Sequence, residues 1–166
     1  FRYVEQAKSE AASFELVIQK HGLLQKTAEV IKKNGWKKVA FEGNALLYNE
    51  YAELAKSLEG VDFSQAVSLD DLRQIKEAEE LACIRKAVAI SDLAFKDVLT
   101  FLRPGISENE VAARMENCMR INGSMRPAFE TIIASGVRGS MPHGTASEKL
   151  IVSGVFVTMD YGAVYK

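Results

Sequence analysis

Gly154-Val155-Phe156-Val157-Thr158-Met159-Asp160 is the stretch on which the reading of the fold turns. Side chains of a strand alternate between its two faces. Val155, Val157 and Met159 therefore fall on one face, and Phe156, Thr158 and Asp160 on the other. Both faces are apolar until the last residue, which predicts a strand covered on both sides. An ionised carboxylate at the end of such a strand is costly unless it is paired or bound to a metal. Asp160 is thus the first candidate ligand. A plainer reading stays open, in which Asp160 begins a turn before Gly162 and bonds to backbone.

Upstream, TIIAS at 131–135 reads as a second strand. Two helices precede it. The first is predicted over 76–102, with Leu81, Ile84, Val88, Phe95, Val98 and Leu102 as its apolar stripe and Ser91 completing the spacing. Pro104-Gly105 stops it. Ser107 and Glu110 form an S-x-x-E capping box for the second helix. Val111, Met115, Cys118 and Met119 supply its buried face, and Asn122-Gly123 ends it.

Further back, strand and helix signals alternate. SFELVI at 13–18 is rich in strand formers, and KKVAFE at 37–42 reads as the next strand. Between them Leu24, Ala28 and Ile31 share one face of a helix over 23–33, closed by Asn34-Gly35. Leu47, Tyr51, Leu54 and Leu58 mark another helix, with Asn44 as its N-cap. Val61-Asp62-Phe63 is a further short strand. Ser68 and Asp71 resemble a capping box for a short helix. This order argues for an α/β unit, and the class of the whole chain is α/β (α+β). The boundary is placed near residue 73, giving segments 1–73 and 74–166.

Hydrophobic residues make up 48% of the 166 and charged residues 26%, which suits a globular chain. A formal net charge of -1 lacks the basic excess that a nucleic-acid surface needs. No apolar run is long enough to span a membrane. Cys83 and Cys118 lie in predicted helices beside apolar neighbours, which favours buried free thiols in a reducing cytoplasm over a disulfide. No CxxC or Cys/His cluster points to zinc.

Two further segments bear on chemistry. Met141-Pro142-His143-Gly144 sets an imidazole between Pro and Gly in a loop of small residues, suited to acid, base or oxyanion work. An ordinary surface histidine is the alternative. His21, before Gly22, has no partner motif and reads as a surface loop residue. Gly136-Val137-Arg138-Gly139 lacks the Lys and Ser/Thr of a phosphate loop, so nucleotide binding is not expected. Lys32, Lys33, Lys37 and Lys38 cluster at a helix end, where they oppose its dipole on a solvated surface.

Taken together, the phrases resemble a known family. Lys76-Glu77-x-Glu79-Glu80 with Ile84-Arg85-Lys86-Ala87 looks like the entry to the catalytic domain of the pita-bread metallopeptidases. Arg103-Pro104-Gly105-Ile106-Ser107-Glu108-x-Glu110-Val111-Ala112 is similar to that family's helix–turn–helix. Phe129 to Gly136 (FETIIASG), then Pro142-His143-Gly144, then Met159-Asp160-Tyr161-Gly162-Ala163, follow in the family's order. The Pro-His-Gly form resembles the Xaa-Pro dipeptidase (prolidase) and aminopeptidase P branch. Phe1-Arg2-Tyr3-x-Glu5-Gln6-Ala7 looks like the creatinase-type N-terminal domain of that branch.

The resemblance implies a partial creatinase-type α/β domain followed by the first half of a pita-bread domain. It implies hydrolysis of Xaa-Pro peptide bonds by two divalent ions, manganese or cobalt, held by two Asp, one His and two Glu. Asp160 matches the first metal-binding Asp, and His143 matches the substrate-pocket histidine. Nothing else transfers. The implied partners are a proline-containing dipeptide or peptide substrate and a second copy in a homodimer, with no nucleic acid and no membrane, in the cytoplasm. Phe1-Arg2-Tyr3 reads as the end of a strand and only six residues follow Asp160, so the chain is expected to be truncated at both ends and inactive alone. A non-catalytic peptide- or protein-binding module of the same fold is the alternative, as is a creatinase-like C–N hydrolase.

Overall fold

The computed structural model describes residues 3–20 and 22–166. The readings of Phe1, Arg2 and His21 lie outside the described residues. The chain divides into two compact units, Phe1–Ile75 and Lys76–Lys166, each with a core of its own.

In the first unit, helix α1 (Val4–Glu10) is followed by α2 (Leu23–Lys33), strand β1 (Phe41–Glu42), α3 (Tyr48–Ser57), β2 (Ala66–Val67) and α4 (Asp70–Gln74). Strands β1 and β2 pair in parallel around α3, a small β-α-β unit. Helix α2 has the expected bounds. Ala28 and Ile31 are buried, and Asn34 caps it ahead of Gly35 at φ 66°. Ala28, Ile31, Leu54, Leu58 and Phe63 form the core. The rings of Phe41, Tyr51 and Phe63 lie within 4.9–5.6 Å of one another.

Local readings in this unit need correction. SFELVI at 13–18 joins no ladder among the described residues, and its Phe14 is exposed. Strand formers make a strand only where a neighbouring edge supplies partners. The strand over 37–42 shrinks to β1 plus a bridge from Lys38 to Asp62. Helix α3 is capped at Leu47 rather than at Asn44, and the Glu50 carboxylate reaches back to accept from the Leu47 N–H at 3.1 Å. At the start of α4, Ser68 Oγ accepts from the Asp70 N–H, so the box with Asp71 does not form.

The second unit opens with the long helix α5 (Ala78–Phe101). A Pro-Gly turn leads to α6 (Glu108–Ile121). Then come β3 (Arg126–Pro127), β4 (Ile132–Ser135), a 3-10 turn (Gly136–Ser140), β5 (Val157–Asp160) and β6 (Ala163–Val164). β3 pairs antiparallel with β6, and β4 with β5. The α6 capping box forms as read: Ser107 Oγ accepts from the Glu110 N–H, and the Glu110 carboxylate accepts from the Ser107 N–H at 2.8 Å. Val111, Met115, Cys118 and Met119 are buried. Cys83 and Cys118 are free thiols.

The face of α5 differs from the reading. Ile90, Ala94 and Val98 are fully buried, whereas Leu81, Ile84, Val88 and Phe95 are exposed. The helix is apolar on more than one side, so periodicity alone does not select a face. Packing against α6 and β6 selects it. β5 differs too. Its ladder begins only at Val157; Val157 and Met159 are half-buried, while Phe156, Thr158 and Asp160 are exposed. The alternation is right, but the Phe156, Thr158 and Asp160 side chains stay largely open to solvent. No helix among the described residues is long and apolar enough to cross a membrane.

Candidate functional site

The antiparallel register sets Ile132 opposite Asp160 and Ala134 opposite Thr158. Directly opposed residues share a face of the sheet, so these four lie on one face. Ile133, Met159, Ser135 and Val157 lie on the other. The loop that carries His143 folds over the first of these faces. A side-chain carbon added at Gly144 would lie 3.2 Å from the Ala134 methyl, and one added at Gly139 would lie 2.9 Å from Thr158 Oγ1. A side chain at position 139 would force Thr158 to shift, and one at 144 would press on its neighbours, so both glycines favour the close approach. His143 precedes the buried Gly144 and is itself exposed.

Asp160 lies inside the β4–β5 ladder rather than at the start of a turn. Its carboxylate is exposed and makes no hydrogen bond or ion pair among the described residues. The cost of burial offered for it in the sequence therefore does not operate here. What suits Asp160 to a cation is a hard oxygen donor, unengaged, at the end of a paired strand. Among the described residues no group of three or more His, Cys, Asp and Glu side chains gathers to hold a metal ion.

Beneath the His143 loop lies a feature that the sequence did not reveal. Glu108, the first residue of α6, is fully buried. Its Oε1 accepts from the Ser135 N–H and from Ser135 Oγ, both at 2.8 Å. Its Oε2 accepts from Ser147 Oγ at 2.6 Å and from Arg138 Nε at 3.0 Å. Arg138 also donates from Nη2 to the Thr145 carbonyl at 2.6 Å. Lys149 Nζ donates to the Ser135 carbonyl at 2.8 Å and stands 4.0 Å from Glu108. Burial opposes ionisation of Glu108, yet hydrogen bonds from Ser147 and Ser135 and the charge of Arg138 outweigh it and hold the carboxyl below its ordinary value. The Gly136-Val137-Arg138-Gly139 segment thus sends its arginine inward.

The backbone closes the same assembly. The Glu108 N–H donates to the Lys149 carbonyl and the Asn109 N–H to that of Ser147, both at 3.0 Å. These bonds satisfy two of the first-turn donors of α6 that have no partner within the helix.

The sequence profile of metallopeptidase family M24 matches residues 82–166, and that of the creatinase/prolidase N-terminal domain matches residues 1–75. The chain belongs to metallopeptidase family M24. An uncharacterized peptidase of Bacillus subtilis is 43% identical to this M24 chain over 167 aligned positions, covering 100% of the chain and 47% of the relative. The chain thus spans about half the length of that relative. An Xaa-Pro dipeptidase from Bacillus anthracis superposes with a TM-score of 0.87 at 40% identity, over 99% of this chain and 46% of its own. An X-Pro aminopeptidase from Thermotoga maritima gives a TM-score of 0.84 at 32% identity, over 99% and 47%. The expected family and its mixed α/β architecture are thereby established.

Proposed function

We propose that the full-length M24 protein hydrolyses Xaa-Pro peptide bonds, as a dipeptidase or as an aminopeptidase of the P type, with two divalent ions that are manganese or cobalt. The observation that carries this reading is the shared sheet face on which the His143 loop and the Asp160 carboxylate lie, in a chain similar to solved enzymes of both kinds. Asp160 would be one carboxylate ligand of the metal site. Bound divalent ions would supply Lewis acidity and a water activated for attack. His143, exposed on a loop packed down at Gly144, would hold a proton at an imidazole nitrogen facing the carbonyl oxygen of the substrate. A pocket of preset shape suits the Pro amide, which has no N–H to offer. Residues 1–166 alone are expected to be inert, because one carboxylate does not hold a two-metal site. A homodimer and a cytoplasmic location belong to the same proposal; a monomer by light scattering at high concentration counts against the dimer.

The deciding experiment is an assay of the full-length protein on Xaa-Pro dipeptides and on longer peptides with Pro in second position, with added manganese or cobalt. Metal-dependent release of the residue ahead of Pro is expected, with loss of turnover in Asp160→Asn. Absence of hydrolysis with either metal, or full activity in Asp160→Asn, would overturn the reading.

A further inference from the structure

We infer that Glu108 and Arg138 are positioning residues that hold the His143 loop in its working shape, an inference that rests on the role proposed for His143. The loop from Arg138 to Thr145 contains Met141, Pro142 and His143. Arg138 bridges its two ends: the Arg138 backbone begins the loop, and the Arg138 guanidinium binds the carbonyl of Thr145, which ends it. The guanidinium has a fixed planar fork, so one side chain satisfies Glu108 and Thr145 together at a set angle. Glu108 in turn is fully buried. Its two oxygens accept four hydrogen bonds, and it sits on the first turn of a capped helix. The same carboxylate grips the N–H of Ser135, at the end of β4, the strand that pairs with the Asp160 strand. One buried acid therefore ties the histidine loop to the strand pair that carries the proposed ligand.

Inside the loop, the Met141 N–H donates to the Arg138 carbonyl, the Gly144 N–H to that of Met141 and the Thr145 N–H to that of His143. These short-range turns shape the segment but do not anchor it to the rest of the unit. The anchors are the close approaches of Gly139 to Thr158 and of Gly144 to Ala134, together with the Arg138–Glu108 bridge. Loss of the bridge leaves the turns intact and frees the loop to shift. Displacement of a catalytic group by about 1 Å is enough to cost up to about 100-fold in rate. The effect falls on kcat rather than on substrate binding when the group acts mainly in the transition state.

The test uses the full-length metal-loaded protein and two mild variants. Arg138→Lys keeps a positive charge near Glu108 but cannot bind Glu108 and Thr145 as a planar fork. Glu108→Gln keeps the size and loses the charge. Each is expected to lower kcat on an Xaa-Pro dipeptide about tenfold with little change in KM. In a His143→Ala background, Arg138→Lys is expected to lower kcat less than about twofold, because residues that act through one another are not additive. A loss of the same factor with and without His143, or no change in kcat, overturns the inference. Amide exchange supplies a readout independent of activity. Both variants are expected to speed exchange at 139–145 by a clearly larger factor than in the cores of α5 and α6, where exchange tracks global stability. Uniformly faster exchange across residues 76–166 shows a purely structural role and also overturns it. Failure of the peptidase reading appears separately, as no hydrolysis by the unmodified protein, and leaves the exchange result to decide whether the bridge holds the loop.

Discussion

Asp160, His143 and Glu108 became visible by different routes. His143 stands out as a candidate because Pro and Gly flank it, and Asp160 because it breaks an apolar alternation. Glu108 is not legible, because an acid in the first turn of a helix has an ordinary explanation in the helix dipole. Its burial arises from partners 27, 30 and 39 positions away. Such pairings leave no local periodicity to read. A pH prediction follows at this residue. The folded carboxyl lies below its ordinary value of 4.5. The stability that Glu108 contributes is therefore fully present above that value, and is lost as pH falls through the lower, folded value. Glu108→Gln is expected to cost on the order of 2–3 kcal/mol at neutral pH, through lost charged hydrogen bonds. That cost should shrink steadily below about pH 4.5. Asp97 and Glu110 are also depressed, but they titrate in both proteins and cancel in the comparison. Urea midpoints of wild type and variant over this range measure the difference; a gap independent of pH counts against the assignment.

At the scale of elements, helix α6 was the most legible and strand β5 among the least. The start of α6 is written locally, in Ser107 and Glu110, and its buried face follows a single stripe. The cap also lies in the connection that brings Glu108 to the His143 loop, since the Glu108 N–H pairs with Lys149. Ser107→Ala removes the acceptor for the Glu110 N–H and is expected to cost about 1 kcal/mol. Chemical denaturation should register this as a lower midpoint with an unchanged slope, because the surface exposed on unfolding stays the same. An unchanged midpoint means that the Glu110 carboxylate, which bonds to the Ser107 N–H, suffices alone. By contrast, α5 carries apolar residues around much of its circumference, and β5 is apolar on both faces. For these two, the sequence states that apolar surface exists, whereas the neighbours α6, β4 and β6 decide which part is covered. The short strands β1 and β2 and the unpaired 13–18 stretch follow the same logic, since ladder formation depends on a partner edge.

At the scale of the whole molecule, the mixed helix-and-strand class was legible because it depends on the order of elements rather than on exact bounds. The first unit alternates helix and strand around a parallel pair, and the second sets two helices against antiparallel strands. The metal site is different, since its proposed chemistry belongs to the full-length protein and only one of its proposed ligands is matched here. That circumstance makes Asp160 an unusually clean probe. Its carboxylate is exposed and without a hydrogen-bonding partner among the described residues, so Asp160→Asn should alter the metal-free stability of the full-length protein by no more than about 0.5 kcal/mol. A metal that binds only the folded state stabilises it by mass action, by about 2.7 kcal/mol at a hundredfold excess over Kd. For the wild type, manganese should therefore raise Tm by several degrees, and a chelator should reverse the rise. In Asp160→Asn the metal-free Tm should match the wild type while the manganese-induced rise is reduced or lost. Calorimetry in chelator and in excess manganese separates the two effects without any substrate. An equal rise in both proteins would remove Asp160 from the ligand set, whatever the peptidase assay shows.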